Sequence, residues 1–518
     1  MRRVYLIATL LFPFLPLDRA AACPRSCAEP VAACRRAECG ALSGSAHHDC
    51  VRACQARSTC NAPGAAIRTI AYVESECREG AQGFVSQKLF VRRGNCDPVP
   101  VMELRRSTPT ANGGGLCSFY ATTRYGPGAR WGLPFQRMAV LPDASGVVFE
   151  VSKQNIPRLL RFGAPDPPEE GIFFVRANGK GLRRLGPASG FPQVLFGGNF
   201  EGVGGGSGGF FEVERSDYPI SPDSRTIALT DYGPGPDGQD APQIFTLDIR
   251  KGRRNQVTHF SASGLVGFRP DFVDDRTILF HTVTFLSQEP LELGGPYLTY
   301  LIRTNGTGLE EVKYEPVPGS HVIDQFQVAG GATNAVVVGL PETVLFLGHE
   351  VHEVVELFVL DHGRVVQVTK FHRPDTFTGT LRGRHLFFRA SANPFDRNPG
   401  ENCQIFSVNT LGDDLRQLAD FRDESRPSVG CAVANQAACT IDSIVLDQVT
   451  GTVIFGSNCD PFGTNPYGFQ LFSMRPDGSG KRQLTATLGR VIEPDGAVSF
   501  QTVGPIAYPA RAHPEPRQ

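Results

Sequence analysis

An excess of charge of either sign is what this chain most plainly lacks. Its 51 Lys and Arg residues are matched by 52 Asp and Glu, a formal net charge of −1. No global field therefore draws it to nucleic acid or to an anionic membrane. Long apolar runs are missing too. Beyond Leu17 nothing approaches the ~18 uninterrupted apolar residues of a bilayer span, which predicts no transmembrane segment in the mature chain. Disorder-promoting composition also falls short. With 57 Gly and 40 Pro in 518 residues, turns are plentiful, yet the content stays below the ~25–30% typical of low-complexity chains.

What is present begins with an export signal. Arg2 and Arg3 form a positive end, Val4–Leu17 a short apolar run, and Ala20–Ala22 a small-residue cleavage site. Residues 1–22 thus read as a signal peptide, and the mature chain as exported, periplasmic or extracellular. Fourteen cysteines agree with an oxidising compartment: Cys23, Cys27, Cys34, Cys39, Cys50, Cys54, Cys60, Cys77, Cys96, Cys117, Cys403, Cys431, Cys439 and Cys459. Their even number reads as disulfides. Cys23 directly follows a small-residue run, so a lipid anchor there is the competing reading. It is disfavoured because Ala20 stands where lipoprotein signals carry leucine, and because lipidation would leave an odd count.

Seven cysteines crowd into residues 23–62. Cys23/Cys27 and Cys50/Cys54 recur at i, i+4, one face of a short helix, which predicts a small disulfide-stapled helical hairpin. So short a segment needs such staples to fold. A zinc site using His47 and His48 is the rival, and four-residue spacing disfavours it.

From residue 63 to 510 one phrase is rewritten: "IFFVRANGKGLRRLG" (172–186), "YLIRTNGTGLEEVKY" (300–314), "LFSMRPDGSGKRQLT" (471–485). Each copy is an alternating apolar run, a Gly-containing polar turn and a second run, the pattern of a β-hairpin. A further strand-like run precedes each copy, such as "GVVFEV", "SRTIALTDY", "ETVLFLG" or "GTVIFGS". About seven such units recur at intervals of about 45–70 residues. The fold class expected is all-β, a closed β-propeller of about seven four-stranded blades preceded by the helical hairpin. The run at 489–509 is expected to pair with the first unit and close the ring, and residues 511–518 read as a disordered tail.

"ISPDSRTIAL" (220–229) followed by "IFTLDIRKGRRNQVT", and "LFSMRPDGSGKRQLT", resemble the blade signature of the TolB-like (WD40-like) β-propeller family. The resemblance covers roughly 67–510. It implies the propeller and leaves function open, because related propellers include both binding modules and enzymes.

In a blade with strands a to d, the c–d turn opens on one rim, and the b–c and d–a connections on the other. Here the c–d turns are short and the extra length falls at 153–171, 232–242, 283–296, 390–402 and 456–468 (b–c) and at 107–133, 187–217 and 422–440 (d–a). All of it lands on one rim, the expected binding face.

Motifs for chemistry are sparse. Asp231, Asp237 and Asp240 share a Gly/Pro-rich stretch and carry the oxygen donors calcium takes, though the spacing fits no known calcium loop and a solvated turn is the competing reading. "GHEVHEVVE" holds His349, Glu350, His352, Glu353 and Glu356, but histidines three apart on a strand point to opposite faces. Ser207 sits in "GGGSGG" without the strand and helix of a nucleophile elbow. "DGSGK" lacks phosphate-loop spacing, and the "NGT" at 305–307 is accounted for as a hairpin turn. The outer cysteines are expected to pair among Cys403, Cys431, Cys439 and Cys459, and separately among Cys77, Cys96 and Cys117, with one of the latter bridging to the head.

The preferred reading is an exported non-enzymatic binding or assembly protein with no cofactor. It would hold a protein or a cell-wall glycan partner of a bacterial envelope on the long-loop rim. The alternative is a propeller enzyme, a polysaccharide lyase or glycan hydrolase, with a metal-assisted site in the central cleft.

Overall fold

The computed structural model describes residues 68–507 apart from several connections, chiefly 106–137, 152–168, 190–218, 422–429, 432–440 and 463–469. Residues 1–22 with their expected signal peptide, the Cys-rich segment 23–62 with its expected helical hairpin, Ser207 and the tail 511–518 lie outside the described residues. The described chain is strand and turn, as the alternating pattern predicts, with no helix among the described residues.

Among the described residues seven antiparallel sheets of three to five strands follow one another along the chain, with one further two-stranded hairpin. Sheet 2 is typical. Its strands a to d are Met138–Val140, Gly146–Val151, Gly171–Arg176 and Arg183–Gly186. Sheet 3 has Thr226–Pro234, Asp240–Asp248 and Arg254–Gln256, and an isolated bridge from Ile220 to Ile227 stands in the place of strand a. Sheet 4 comprises Leu265–Phe272, Thr277–Gln288, Leu291–Arg303 and Glu310–Glu311. Sheet 5 comprises His321–Gln327, Thr333–Leu340, Val354–Asp361 and Arg364–Gln367. Sheet 6 takes Phe377–Arg382, His385–Ala390, Gln404–Asn409 and Arg416–Gln417. Sheet 7 takes Ile441–Leu446, Val453–Ser457, Gln470–Met474 and Arg482–Gln483.

Sheet 1 is built from both ends of the described chain. Thr69–Arg78, Phe84–Arg93 and Val99–Arg105 form its strands b to d. Val498–Ala507 pairs with Thr69–Arg78 as strand a, and Arg490–Ile492 adds a fifth strand. The expected pairing of the C-terminal run with the first unit is thus present.

The inner strands are buried on both faces, as in Gly146–Val151, where every residue is buried. Such strands need a neighbour on each side. Ala71, Val73 and Leu89 of sheet 1 pack on Val147, Phe149 and Phe173 of sheet 2. Val148 and Leu185 of sheet 2 meet Leu229 and Leu247 of sheet 3, and Ala228 and Ile244 of sheet 3 meet Phe280 and Ile302 of sheet 4. Leu357 of sheet 5 packs with Phe388 of sheet 6, and Ile405 of sheet 6 with Phe455 of sheet 7. Ile454 and Leu471 of sheet 7 return to Ile70 and Tyr72 of sheet 1.

The recurrent turn glycine has a second role. Gly478, in the c–d turn of sheet 7, has φ +81°. A Cβ there would stand 2.7 Å from the carbonyl oxygen of Leu418 in sheet 6. Gly252, Gly306 and Gly412 face a backbone carbonyl of the preceding sheet in the same way. Each turn is therefore also a point where one sheet's backbone seats against the last.

Arg68, at the entry to sheet 1, joins sheet 7 to sheet 2 on the short-turn side. Its guanidinium donates to both oxygens of the buried Asp447 carboxylate in the a–b turn of sheet 7, at 2.9 and 2.6 Å. It also donates to the Pro142 carbonyl in the a–b turn of sheet 2, at 3.0 Å. Arg92 of sheet 1 donates to the Leu484 carbonyl of sheet 7 at 2.8 Å.

Two of the expected loops are strands. The stretches 232–242 and 283–296 instead continue their hairpins, with Tyr232 paired to Pro242 and Phe285 to Leu293. β-branched and aromatic residues in "HTVTFLSQ" favour the extended pairing. In the fifth unit strand b is Thr333–Leu340, not "ETVLFLG". Pro341 follows the β-branched run 336–338, and proline cannot continue a central strand. "ETVLFLG" becomes a separate hairpin, Val344–Phe346 with His349–Val351, inserted between strands b and c.

Candidate rim site over sheets 5 to 7

That inserted hairpin belongs to the long-loop side, where connections of sheets 5, 6 and 7 converge. Beneath it lies a recurring clamp that fixes where each strand d departs for the next sheet. In sheet 3 the Gln243 amide donates to the Phe260 carbonyl at 2.7 Å, and its oxygen accepts the Phe260 N–H and the Thr258 hydroxyl, both at 2.9 Å. The Thr258 hydroxyl also accepts the Ile244 N–H. Gln404 holds both backbone groups of Phe421 in sheet 6. Gln470 receives the Thr485 hydroxyl in sheet 7. Buried amides satisfied on both ends fix a connection firmly.

Sheet 5 carries a carboxylate in that place. Glu356 is buried and accepts the Thr369 hydroxyl and, at 2.7 Å, the His372 N–H. Burial pushes its carboxyl above the usual range, and the Thr369 hydroxyl and the His372 and Phe371 amides pull it partly back. His372 takes φ +54°, a left-handed conformation uncommon outside glycine. Its ring contacts the Glu342 carboxylate at 2.8 Å.

The next residues tie the rim together. Arg373 is ion-paired with Glu401 from the b–c connection of sheet 6, and it lies over the Phe346 ring of the inserted hairpin at 5.9 Å. Asp375 is buried. It accepts the Ser391 hydroxyl at 2.7 Å and the Cys431 N–H at 2.6 Å, while burial raises its carboxyl above the ordinary range. Cys431 is disulfide-bonded to Cys403, one of the pairings expected from sequence. Asn398 donates to the Ala392 and Asn402 carbonyls and accepts the Asn402 N–H, which closes the 391–403 connection on itself. Asp396 and Glu401 there also have positive φ. Three apolar side chains face solvent on this side, Leu345 at 71%, Phe395 at 40% and Phe462 at 43% exposure, one from each of three successive b–c connections. Leu345 adjoins Phe346 and Phe395 lies within the 391–403 connection, both parts of this frame, while Phe462 lies against Phe472 of sheet 7. A fixed frame that presents apolar tips can bind a surface, because it loses little conformational freedom on docking.

The structure does not bring the three candidate calcium ligands together. Asp231 lies in a strand rather than a loop, buried and ion-paired with Arg254. Asp237 accepts the Ser261 hydroxyl at 2.6 Å and the Gln239 N–H. Asp240 pairs with Pro234, three rows along the hairpin from Asp231, about 10 Å away. His352 contacts the Thr343 hydroxyl, and Glu356 is turned into the clamp. Among the described residues no group of three or more His, Cys, Asp or Glu is arranged to hold a metal ion. Asn305 closes the hairpin turn, its oxygen accepting the Thr307 N–H and hydroxyl. Among the cysteines outside the head, Cys96 and Cys459 are also disulfide-bonded.

Sequence reasoning missed the clamp and the inserted hairpin. The clamp had a signal: "QIF" at 243–245 and 404–406, "QLF" at 470–472 and "ELF" at 356–358 recur in strand c, opening it in sheets 6 and 7 and lying inside it in sheets 3 and 5.

No family model matches the chain, and no curated protein matches it. Among solved structures it is similar to TolB from Acinetobacter baumannii, with 13% identity over 83% of this chain and 80% of that one and a TM-score of 0.34. It is similar to the β-propeller domain of the Trilobed protease from Pyrococcus furiosus, with 10% identity over 81% and 98% and a TM-score of 0.42. It is also similar to oligogalacturonate lyase from Vibrio parahaemolyticus, with 8% identity over 84% and 98% and a TM-score of 0.39. At these identities and TM-scores they add nothing to the sheet arrangement, which rests on the strand pairings themselves.

Proposed function

We propose that the seven sheets close as the blades of a β-propeller and that the chain is an exported, non-enzymatic binding or assembly protein. It holds a protein of the cell envelope or exterior on the long-loop rim over sheets 5 to 7. The observation that carries this reading is the set of exposed Leu345, Phe395 and Phe462 on the long-loop side, the first two on a frame fixed by Arg373–Glu401, Asp375 and the Cys403–Cys431 bond. Leu182, Leu309 and Leu411 on the opposite rim are exposed as well, so exposure alone does not single out this rim; the fixed frame and the two aromatic tips, the residue type that dominates interface energetics, do. The disulfide supports export, because such bonds persist outside the reducing cytosol.

The test compares two triple variants as bait in envelope extract. L345S/F395S/F462S removes the apolar tips, and L182S/L309S/L411S alters exposed residues on the opposite rim. The partner captured by the unaltered chain is expected to be lost with the first variant and kept with the second. Capture unaffected by the first variant, or lost only with the second, overturns the assignment.

A further inference from the structure

The short-turn side of sheet 1 carries a feature that the rim reading does not use. Cys96 sits in the tight turn between Phe84–Arg93 and Val99–Arg105, its N–H donating to the Arg93 carbonyl at 3.1 Å. It is disulfide-bonded. Every other described cysteine lies elsewhere. Cys77 is near the far end of Thr69–Arg78, paired with Phe84, whereas Arg93 pairs with Thr69. The eight residues from Thr69 to Cys77 put about 27 Å between the two ends, far beyond the ~7 Å that a disulfide allows between Cα atoms. Cys459 follows Val453–Ser457 on the long-loop side, and Cys403 is joined to Cys431.

The polypeptide that enters sheet 1 arrives beside Cys96. The Gly94 N–H donates to the Arg68 carbonyl, so Arg68 and the Cys96 turn are neighbours. Cys60 precedes Arg68 by eight residues, a reach of up to about 28 Å. The segment 23–60 carries seven cysteines, an odd number whose full oxidation requires one partner outside it. Three residues on from Cys96 the Val99 side chain is exposed and fills the space beside Gly179 in the c–d turn of sheet 2, the turn that also carries the exposed Leu182.

We propose that Cys96 is the covalent tether of the Cys-rich segment 23–60, which docks over Val99 and Leu182 on the short-turn side of sheets 1 and 2. The bond forms as the two thiols lose two protons and two electrons to a disulfide-bearing thiol oxidoreductase, which is reduced to its dithiol by exchange. The assignment makes the head's cysteine count even and leaves Cys77 and Cys117 to pair with each other; Arg105, the last described residue before Cys117, pairs with Ser86 at the same long-loop end of sheet 1 as Cys77. It holds the head on the side opposite the candidate rim, so the rim stays open. The inference does not rest on what that rim binds.

Peptide mapping of the exported, non-reduced full chain tests it. Trypsin releases Cys96 within 94–105, and the expected product joins that peptide to one from 23–60. A peptide joining Cys96 to Cys117 overturns the proposal. A second measurement places a protease site within 61–66. After cleavage the head is expected to stay attached on a non-reducing gel in the otherwise unaltered chain and to separate in C96S. Separation without reductant when Cys96 is present overturns the proposal equally.

Discussion

Replacing Gly478 with alanine tests how the sheets seat on one another. Two costs add. The backbone at Gly478 has φ +81°, and an L-residue there is disfavoured by about 1–2 kcal/mol. The new Cβ would also lie 2.7 Å from the Leu418 carbonyl oxygen and 3.1 Å from its Cα. Both atoms are backbone, so no side chain can swing away, and the turn of sheet 7 must lift off sheet 6 at about 1–3 kcal/mol. Stiffening the unfolded chain returns about 0.4–1 kcal/mol. The net expectation is a loss of about 1–5 kcal/mol, with a middle value of about 3 kcal/mol. Gly238 supplies the control, because it has φ +75° but nothing within 4 Å of a built Cβ. G238A should therefore cost only about 1 kcal/mol. Denaturant unfolding midpoints compare the two. Equal shifts would refute the claim that the recurrent turn glycine is a sheet-to-sheet contact.

Arg68→Ala removes the bidentate partner of a buried Asp447 carboxylate and should destabilise by about 2–4 kcal/mol in the same assay; a neutral result would show that the clasp between sheets 7, 1 and 2 contributes nothing. Glu356→Gln supplies the amide that Gln243, Gln404 and Gln470 use. Because burial raises the Glu356 carboxyl, the folded state binds its proton more tightly than the unfolded chain. Its contribution to stability is full below about pH 4.3, the unfolded value, and is lost as pH rises through the raised folded value. E356Q should thus exceed the original chain in stability at pH 7, and the two should converge toward pH 4; unfolding midpoints across pH 4–8 that run parallel would contradict this.

Most of the fold was legible because its signals are local. Alternation in "GVVFEV" or "QIFTLDI" and turn glycines at Gly306 and Gly478 specify hairpins from neighbouring residues alone. The pairing of Val498–Ala507 with Thr69–Arg78 was legible because a sheet left unpaired exposes an edge. What stayed hidden depends on contacts between distant parts. "AVVVGL" and "ETVLFLG" are equally strand-like, and only burial in sheet 5 decides which becomes strand b. Gln243 and Gln404 look like ordinary polar residues until Phe260 and Phe421 return to them, 17 residues later. The rim frame joins Glu342, Arg373, Glu401 and Cys431 from four connections, and no spacing in the sequence announces it. Asp231 read as a loop residue from its Gly and Pro neighbours, while the pairing of Tyr232 with Pro242 keeps it in a strand.

The claim on which the rest depends is that the two ends of the described chain share one sheet. Amide-resolved hydrogen exchange on the intact protein tests it along Thr69–Arg78. Successive N–H groups of a strand point alternately to its two neighbours. With Phe84–Arg93 on one side and Val498–Ala507 on the other, consecutive amides from Ala71 to Glu76 should all be strongly protected. Protection at every second amide only, with the intervening ones exchanging as at an open edge, would contradict the account.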